Sequence, residues 1–452
     1  MASGNQNGLV RRLGLVTVIA IIVADMVGTG IFTTSGLVMA NLQSPVLMIV
    51  LWGVGGLVAL AGAFCYAELS VAMPYAGGEY LYLSRLFHPM VGFLSGWISF
   101  IVGFSAPVAA ASIGMSEYMI GAFPGLLSPD FLSGGLSQMF VQKALAIMVV
   151  LVFTLVHLQG TRLGTQVHNI FTLLKIALIA VLIIIGFSVG EGSFSHFSTG
   201  ETIPFDFSRF KSIGLSVLWI SFAYTGWNAA AYIGAEVKKP NKNLPRALLL
   251  GTGMVILMYV LLNVLFVYAI PPGQMEGVIS VGTLAAKNLF GLQYSRVFSF
   301  FIAIALFSSI SALIILGPRI YYAMARQGHF FAFAGKVHAK TGVPYLSVII
   351  QGMVAIVIVL SGTFDEILTY MGFALGLFPM LAVYGIFILH RKGMSRYRAP
   401  WHPVFPVFFM LINLMMLFLG YAQRPLESSI AIGTVLLGIP LYYFFKRKSK
   451  IL

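Results

Sequence analysis

An all-α membrane protein with twelve transmembrane helices is the fold that this sequence predicts, and three observations carry the expectation. Of 452 residues, 59% are hydrophobic and 9% charged. An average soluble domain has about 45–50% and about 25%, and a soluble chain this apolar would expose surface it could not hide. The mean hydropathy is +0.94. The apolar residues run in continuous stretches rather than in the alternating strands of a β-barrel. Finally, Lys and Arg gather in alternate loops, as the positive-inside rule requires.

A span needs about 20 mostly apolar residues to cross roughly 30 Å of hydrocarbon at about 1.5 Å per residue. Twelve segments qualify: 13–40, 45–72, 91–122, 142–158, 168–189, 212–235, 245–270, 294–325, 346–361, 365–389, 404–422 and 429–446. The stretch 73–90 reads as a re-entrant or interfacial piece. Met1 to Gly8 is polar, and the first apolar segment is too long for a cleaved signal peptide. The chain therefore reads as one transmembrane domain over 1–452. Helices one to five fall in 13–189, six to ten in 212–389, and eleven and twelve in 404–446.

The net charge of +14 would raise nucleic acid in a soluble protein; here it reports topology instead, and no nucleic-acid partner is expected. With the N-terminus inside, twenty of the 27 basic residues fall in inside loops. They include Lys238, Lys239 and Lys242, then Arg391, Lys392, Arg396 and Arg398, and the terminal run Lys446 to Lys450. Six fall outside, and Lys175 lies within span five. Both termini are thus expected in the cytoplasm of a multi-pass protein of the cytoplasmic (inner) membrane.

No polar stretch is long enough for a separate soluble domain. Neither HExxH nor GxSxG occurs, and Gly335-Lys336 lacks the rest of a phosphate loop. Neither an enzyme nor a cofactor is expected. The lone cysteine, Cys65, allows no intrachain disulfide.

Three features carry chemistry. Gly28-Thr29-Gly30-Ile31-Phe32 lies mid-way along span one. It reads as a packing notch or as a helix break. A break would offer carbonyls to a cation at one end and N–H groups to a carboxylate at the other. Ser221 to Asn228 lies mid-way along span six, where Thr225-Gly226 marks a second candidate break. Interrupted spans at corresponding positions of two halves point to a transporter's central site. Lys175 is a charge at bilayer depth, which costs at least about 2.5–3.5 kcal/mol unless it finds a partner. Asp25 is the obvious opposite charge: it can pair with Lys175, hold a substrate amine or carry a coupling proton. Glu68, Glu79 and Glu236, near basic inside loops, read as gating or structural salt bridges.

These residues resemble those of the amino acid–polyamine–organocation (APC) superfamily of transporters, and within it the L-type amino acid transporter branch. Gly28 to Phe32 is similar to that family's first-helix G[ST]GIF. The stretch Cys65-Tyr66-Ala67-Glu68-Leu69, then Pro74 and Gly77-Gly78-Glu79-Tyr80, resembles its second-helix end and the loop that follows. Phe222 to Asn228, then Glu236, Pro240 and Asn243-Leu244-Pro245, resembles its sixth helix and loop, and Tyr397-Arg398-Ala399-Pro400 fits a later landmark.

The resemblance implies a LeuT-type five-plus-five inverted repeat with broken helices one and six. It further implies alternating access and an amino acid bound between the breaks. Met26, Thr29 and Gly30 would meet its carboxylate, and the carbonyls of Phe222, Ala223 and Thr225 its amine. The Phe222 ring would gate the site. Lys175 would occupy the place of a sodium ion and serve coupling or gating. Asp25 stands where relatives carry a small or neutral polar residue, and Thr225 replaces a frequent Gly. The outer 123–142 loop lacks cysteine, so no disulfide-linked heavy chain is expected. The expected function is sodium-independent amino acid transport by exchange or proton symport. A polyamine or organic-cation carrier and a non-transporting amino acid sensor are the alternatives. Phe104, Ser105, Ser308, Ser309 and Tyr370 are candidates for the side-chain pocket.

Overall fold

The computed structural model describes residues 11, 13–75, 77–127, 137–158, 161–198, 206–338, 343–394 and 397–449, apart from the side chains of 161–171, Ala323 and 448–449. Arg396, Lys450 and most of the cysteine-free outer loop lie outside the described residues. Among those described, the chain is helical throughout, with one isolated backbone bridge between Leu13 and Val237.

The helices follow the apolar runs closely. In chain order they are α1 (Leu15–Met26), α2 (Gly30–Leu42), α3 (Pro45–Ala72), the short α4 (Gly78–Leu86), α5 (Pro89–Ala122), α6 (Gln138–Leu158) and α7 (Thr161–Val189). Then come α8 (Phe207–Ala223), the four-residue α9 (Ala229–Tyr232), α10 (Pro240–Ala269), a single helical turn at Pro272–Met275, α11 (Val281–Phe290) and α12 (Leu292–Arg326). Last are α13 (Tyr345–Ser361), α14 (Phe364–Arg391), α15 (Val404–Gln423) and α16 (Pro425–Ser449). Local chemistry sets many of the ends. Ser44 caps α3 with Pro45 as its first residue, and Thr363 with Glu366 forms a capping box on α14.

Nine of the described helices are long and apolar enough to cross a membrane, and α1 with α2 makes a tenth if the bent pair is one span. Helices α8 and α13, at 17 residues each, stand where spans six and nine are expected. The two halves of the first span meet at 42° across Val27–Thr29. The sixth segment departs from its predicted 212–235. Helix α8 ends at Ala223, residues 224–228 turn, and only α9 and a single 3-10 turn, Gly234–Glu236, follow. The break falls at the expected Thr225-Gly226, where Gly226 takes φ +97°, a conformation that glycine adopts readily, but the apolar run does not reveal that regular helix nearly ends there. Helix α5 also contains a π-helical stretch, Ser99–Ser105, which no sequence period announces.

Side chains tie α2 to α8 at the end away from the breaks. Asn41 Nδ2 donates to Ser212 O at 2.7 Å and to Ser216 Oγ at 2.9 Å. The buried Arg209 donates to the Leu42 carbonyl, placing a cation at the C-terminus of α2, where the helix dipole favours it. At the other end, backbone bonds join Leu13 N to Glu236 O (3.0 Å) and Lys238 N to Leu13 O (2.9 Å). The two interrupted helices therefore hold each other at both ends. Replacing Arg209 with Ala strands a buried carbonyl, so the purified protein should lose about 1–3 kcal/mol of stability. Arg209→Lys should recover part of that loss. Thermal unfolding in detergent measures both.

Candidate functional site

The break in the first span and the break in the sixth are pressed together. A Cβ on Gly30 would overlap Ala223 at the end of α8. A Cβ on Gly226 would lie 2.8 Å from Asp25 Oδ2 and 2.9 Å from Met26 N. No larger residue fits at either glycine without separating the two chains. Thr29, Gly30, Phe222 and Ala223 are all buried at this junction.

Backbone groups freed at membrane depth cost several kcal/mol each unless satisfied, and most of those at the junction have partners. Lys175, 1% exposed, reaches from α7 to donate to Ala24 O at 2.8 Å, with Ser309 Oγ of α12 at 3.4 Å. It caps the carbonyl end of α1 with an amine donor, where the helix dipole favours a cation. Tyr259 of α10 donates to Met26 O at 2.6 Å, and Gly28 N donates to the same oxygen at 2.8 Å. Tyr118 of α5 donates to Phe32 O at 2.6 Å and accepts from Gly282 N of α11 at 3.1 Å. On the sixth-span side, Phe222 O accepts from both the Thr225 amide (2.9 Å) and the Thr225 hydroxyl (2.7 Å). Tyr224 donates to Trp52 O at 3.0 Å.

What remains open is equally definite. Among the described residues, the amides of Thr29, Gly30 and Ile31 donate to nothing, and the carbonyls of Ala223 and Thr225 accept nothing. Free donors thus open α2, and free acceptors lie at the end of α8. The Asp25 carboxylate also has no hydrogen bond or ion pair there. The ion pairs among the described residues are Glu68–His390, Arg424–Asp365 and Arg424–Glu427. No three His, Cys, Asp or Glu side chains among them converge as metal ligands would.

Residues 13–439 match the amino acid permease family. The chain belongs to that family. It is 29% identical to the large neutral amino acids transporter small subunit 2 of Oryctolagus cuniculus, over 99% of this chain and 83% of the relative. It is 28% identical to the b(0,+)-type amino acid transporter 1 of Mus musculus, over 97% and 88%. It is 27% identical to the Asc-type amino acid transporter 1 of Mus musculus, over 98% and 83%.

Several expectations for this permease change. Lys175 and Asp25 make no direct ion pair: the Lys175 amine donates to the Ala24 carbonyl, and Asp25 is its electrostatic neighbour rather than its contact partner. Met26 faces the junction, but its carbonyl is already engaged twice. Glu68 does form an ion pair, with His390 rather than with Lys or Arg, whereas Glu79 has no ion pair among the described residues. Glu68 accepts from His390 and, at 3.0 Å, from Ala399 N; Glu79 accepts from Asn228 Nδ2 at 2.7 Å. Tyr370 turns to Thr434 Oγ1 of α16 at 3.1 Å, and Ser308 bonds back to Ala305 O of its own helix. Of the pocket candidates, Ser309 comes within 3.8 Å of where a Gly28 Cβ would sit. Tyr118 and Tyr259 were missed, since nothing marks one tyrosine among 19 as a backbone partner.

Gly226→Ala forces an L-residue to φ +97° and drives its methyl onto Asp25 and Met26. The strain is on the order of 1–2 kcal/mol. Ligand-induced thermal stabilisation should disappear from a variant that still purifies folded. Glu79 gives a pH dependence. Burial pushes its carboxyl from 4.5 up to about 7, against the opposing pull of Tyr66 and Asn228. The folded protein then holds a proton that the unfolded chain releases, so this stabilisation is complete below about 4.5 and is lost as pH rises through about 7. In Glu79→Gln that fall in melting temperature between pH 4.5 and 7 should flatten.

Proposed function

We propose that this chain is a sodium-independent amino acid transporter that works by alternating access. The observation that carries the reading is the junction of two broken helices with opposite unmet needs. A zwitterion fits it: the substrate carboxylate meets the free N–H groups and positive dipole at the start of α2, through Thr29 and Gly30. The substrate amine meets the carbonyls of Ala223 and Thr225. The Phe222 ring, at the end of α8, closes one path to the site.

The packing of the bundle supports an inverted repeat of five helices. Spans two and seven (α3, α10), three and eight (α5, α12), one and six (α2, α8) and four and nine (α6, α13) pack as pairs. Each pair joins an element to its counterpart five spans on. Contacts of α1 with α10 are mirrored by α8 with α3, and α5 with α6 by α12 with α13. Counting α8 and α13 as spans gives an even number, which supports both termini lying on the side that holds most Lys and Arg, taken here as the cytoplasm. Rocking one set of helices against the other would open the junction to each side in turn.

In this reading Lys175 replaces a mobile coupling cation with a fixed one. Its bond to Ala24 O ties the first half-helix to α7, and exchange or proton symport supplies the cycle. The single cysteine, Cys65, is buried in α3, which favours function without a disulfide-linked heavy chain. Proteoliposomes preloaded with one amino acid should show counterflow of labelled amino acid without sodium. Lys175→Ala should lower turnover at least tenfold with little change in binding. Absence of counterflow for every amino acid and amine would overturn the reading.

A further inference from the structure

Two residues at the junction depart together from the pattern the chain otherwise resembles. Thr225 stands in place of a frequent Gly, and its hydroxyl and amide both donate to Phe222 O, at 2.7 and 2.9 Å. A carbonyl oxygen has two lone pairs, so Phe222 has nothing left for a ligand. An acceptor that a substrate amine would otherwise use is withdrawn. Asp25 adds one. Its carboxylate is partly exposed at the junction and has no hydrogen bond or ion pair among the described residues. Its Oδ2 overlies Gly226, the residue that follows the open Thr225 carbonyl. The one ammonium near it, Lys175, is committed to Ala24 O and Ser309.

A carboxylate held beside open carbonyls, with Lys175 as an electrostatic neighbour but with no direct ion pair among the described residues, is a receptor for an ammonium group. We propose that Asp25 is the anionic anchor of the substrate's amine and that it compensates for the Phe222 carbonyl that Thr225 withdraws. This deepens the transporter reading and relies on it only for the location of the site. The substrate class follows: compounds with a primary amine, amino acids first and their decarboxylated amines next. A 2-hydroxy acid of the same shape cannot supply the charge and should bind poorly.

The test is binding, not transport, so it separates the two readings. Purified protein is titrated with L-leucine, L-alanine and L-lysine, each alongside its 2-hydroxy acid and its decarboxylated amine, by thermal shift and calorimetry. The wild type should prefer each amine-bearing compound to the hydroxy acid. Asp25→Asn should weaken amino acid binding by about tenfold to a hundredfold, the usual effect of removing a charged hydrogen-bond partner. It should also collapse the preference over the hydroxy acid. Thr225→Gly removes the hydroxyl donor and frees one of the two lone pairs of Phe222 O, the amide bond remaining, so adding it to Asp25→Asn should restore part of the affinity, with Asp25→Ser as a second neutral variant should Asn fold poorly. Unchanged affinity and preference in a folded Asp25→Asn would overturn the proposal, as would wild-type protein that binds none of the amines. Amine binding that depends on Asp25 but without counterflow would refute transport and leave this assignment standing.

Discussion

Everything about the centre of this protein depends on one constraint: a helix interrupted inside hydrocarbon must find partners for the peptide groups it frees. The chain interrupts two helices and brings the interruptions together. It satisfies most of the loose ends with side chains from elsewhere in the fold. Lys175 takes Ala24 O, Tyr259 takes Met26 O, Tyr118 takes Phe32 O and Thr225 takes Phe222 O. These bonds make the break a defined shape instead of a locally melted helix.

The groups that remain unsatisfied are sorted by sign. Amide donors face out from the start of α2, while carbonyls and the Asp25 carboxylate cluster where α8 ends against α1. In the transport reading proposed above, a small molecule that is negative at one end and positive at the other would complete both sets at once. In the low dielectric of a buried site such a completion is worth more than in water. The site is therefore defined as much by which groups the protein has already paired as by which residues line it.

The same economy explains the small residues at the junction. Gly30 lets α2 touch Ala223, and Gly226 lets the sixth-span turn slide beneath Asp25. The outer fastening by Asn41 and Arg209 and the inner backbone bridge between Leu13 and Val237 keep the two interrupted helices in register. Glu79 and Asn228 extend that hold to α4, so the loop after α3 is coupled to the turn in the sixth span. A movement of either broken helix must break or carry these bonds.

The membrane class, the helix order and the places of both interruptions were legible in the sequence, because each is a local property. Apolar runs, Lys and Arg asymmetry and Gly-Thr-Gly need no distant partner to be read. Lys175 was legible for the same reason: a lone charge in an apolar run must have a use. Which partner it takes was not legible. Asp25 is the nearer choice by charge, yet tertiary packing delivers the Ala24 carbonyl to the ammonium instead. The filling of the Phe222 and Met26 carbonyls, the tyrosines that do part of it, and the abrupt end of α8 at Ala223 were decided only in three dimensions. Hydrogen bonds between residues more than 200 positions apart, such as Tyr259 to Met26, leave no local pattern, and that Asp25 makes no direct hydrogen bond or ion pair among the described residues is visible only once those neighbours have been placed.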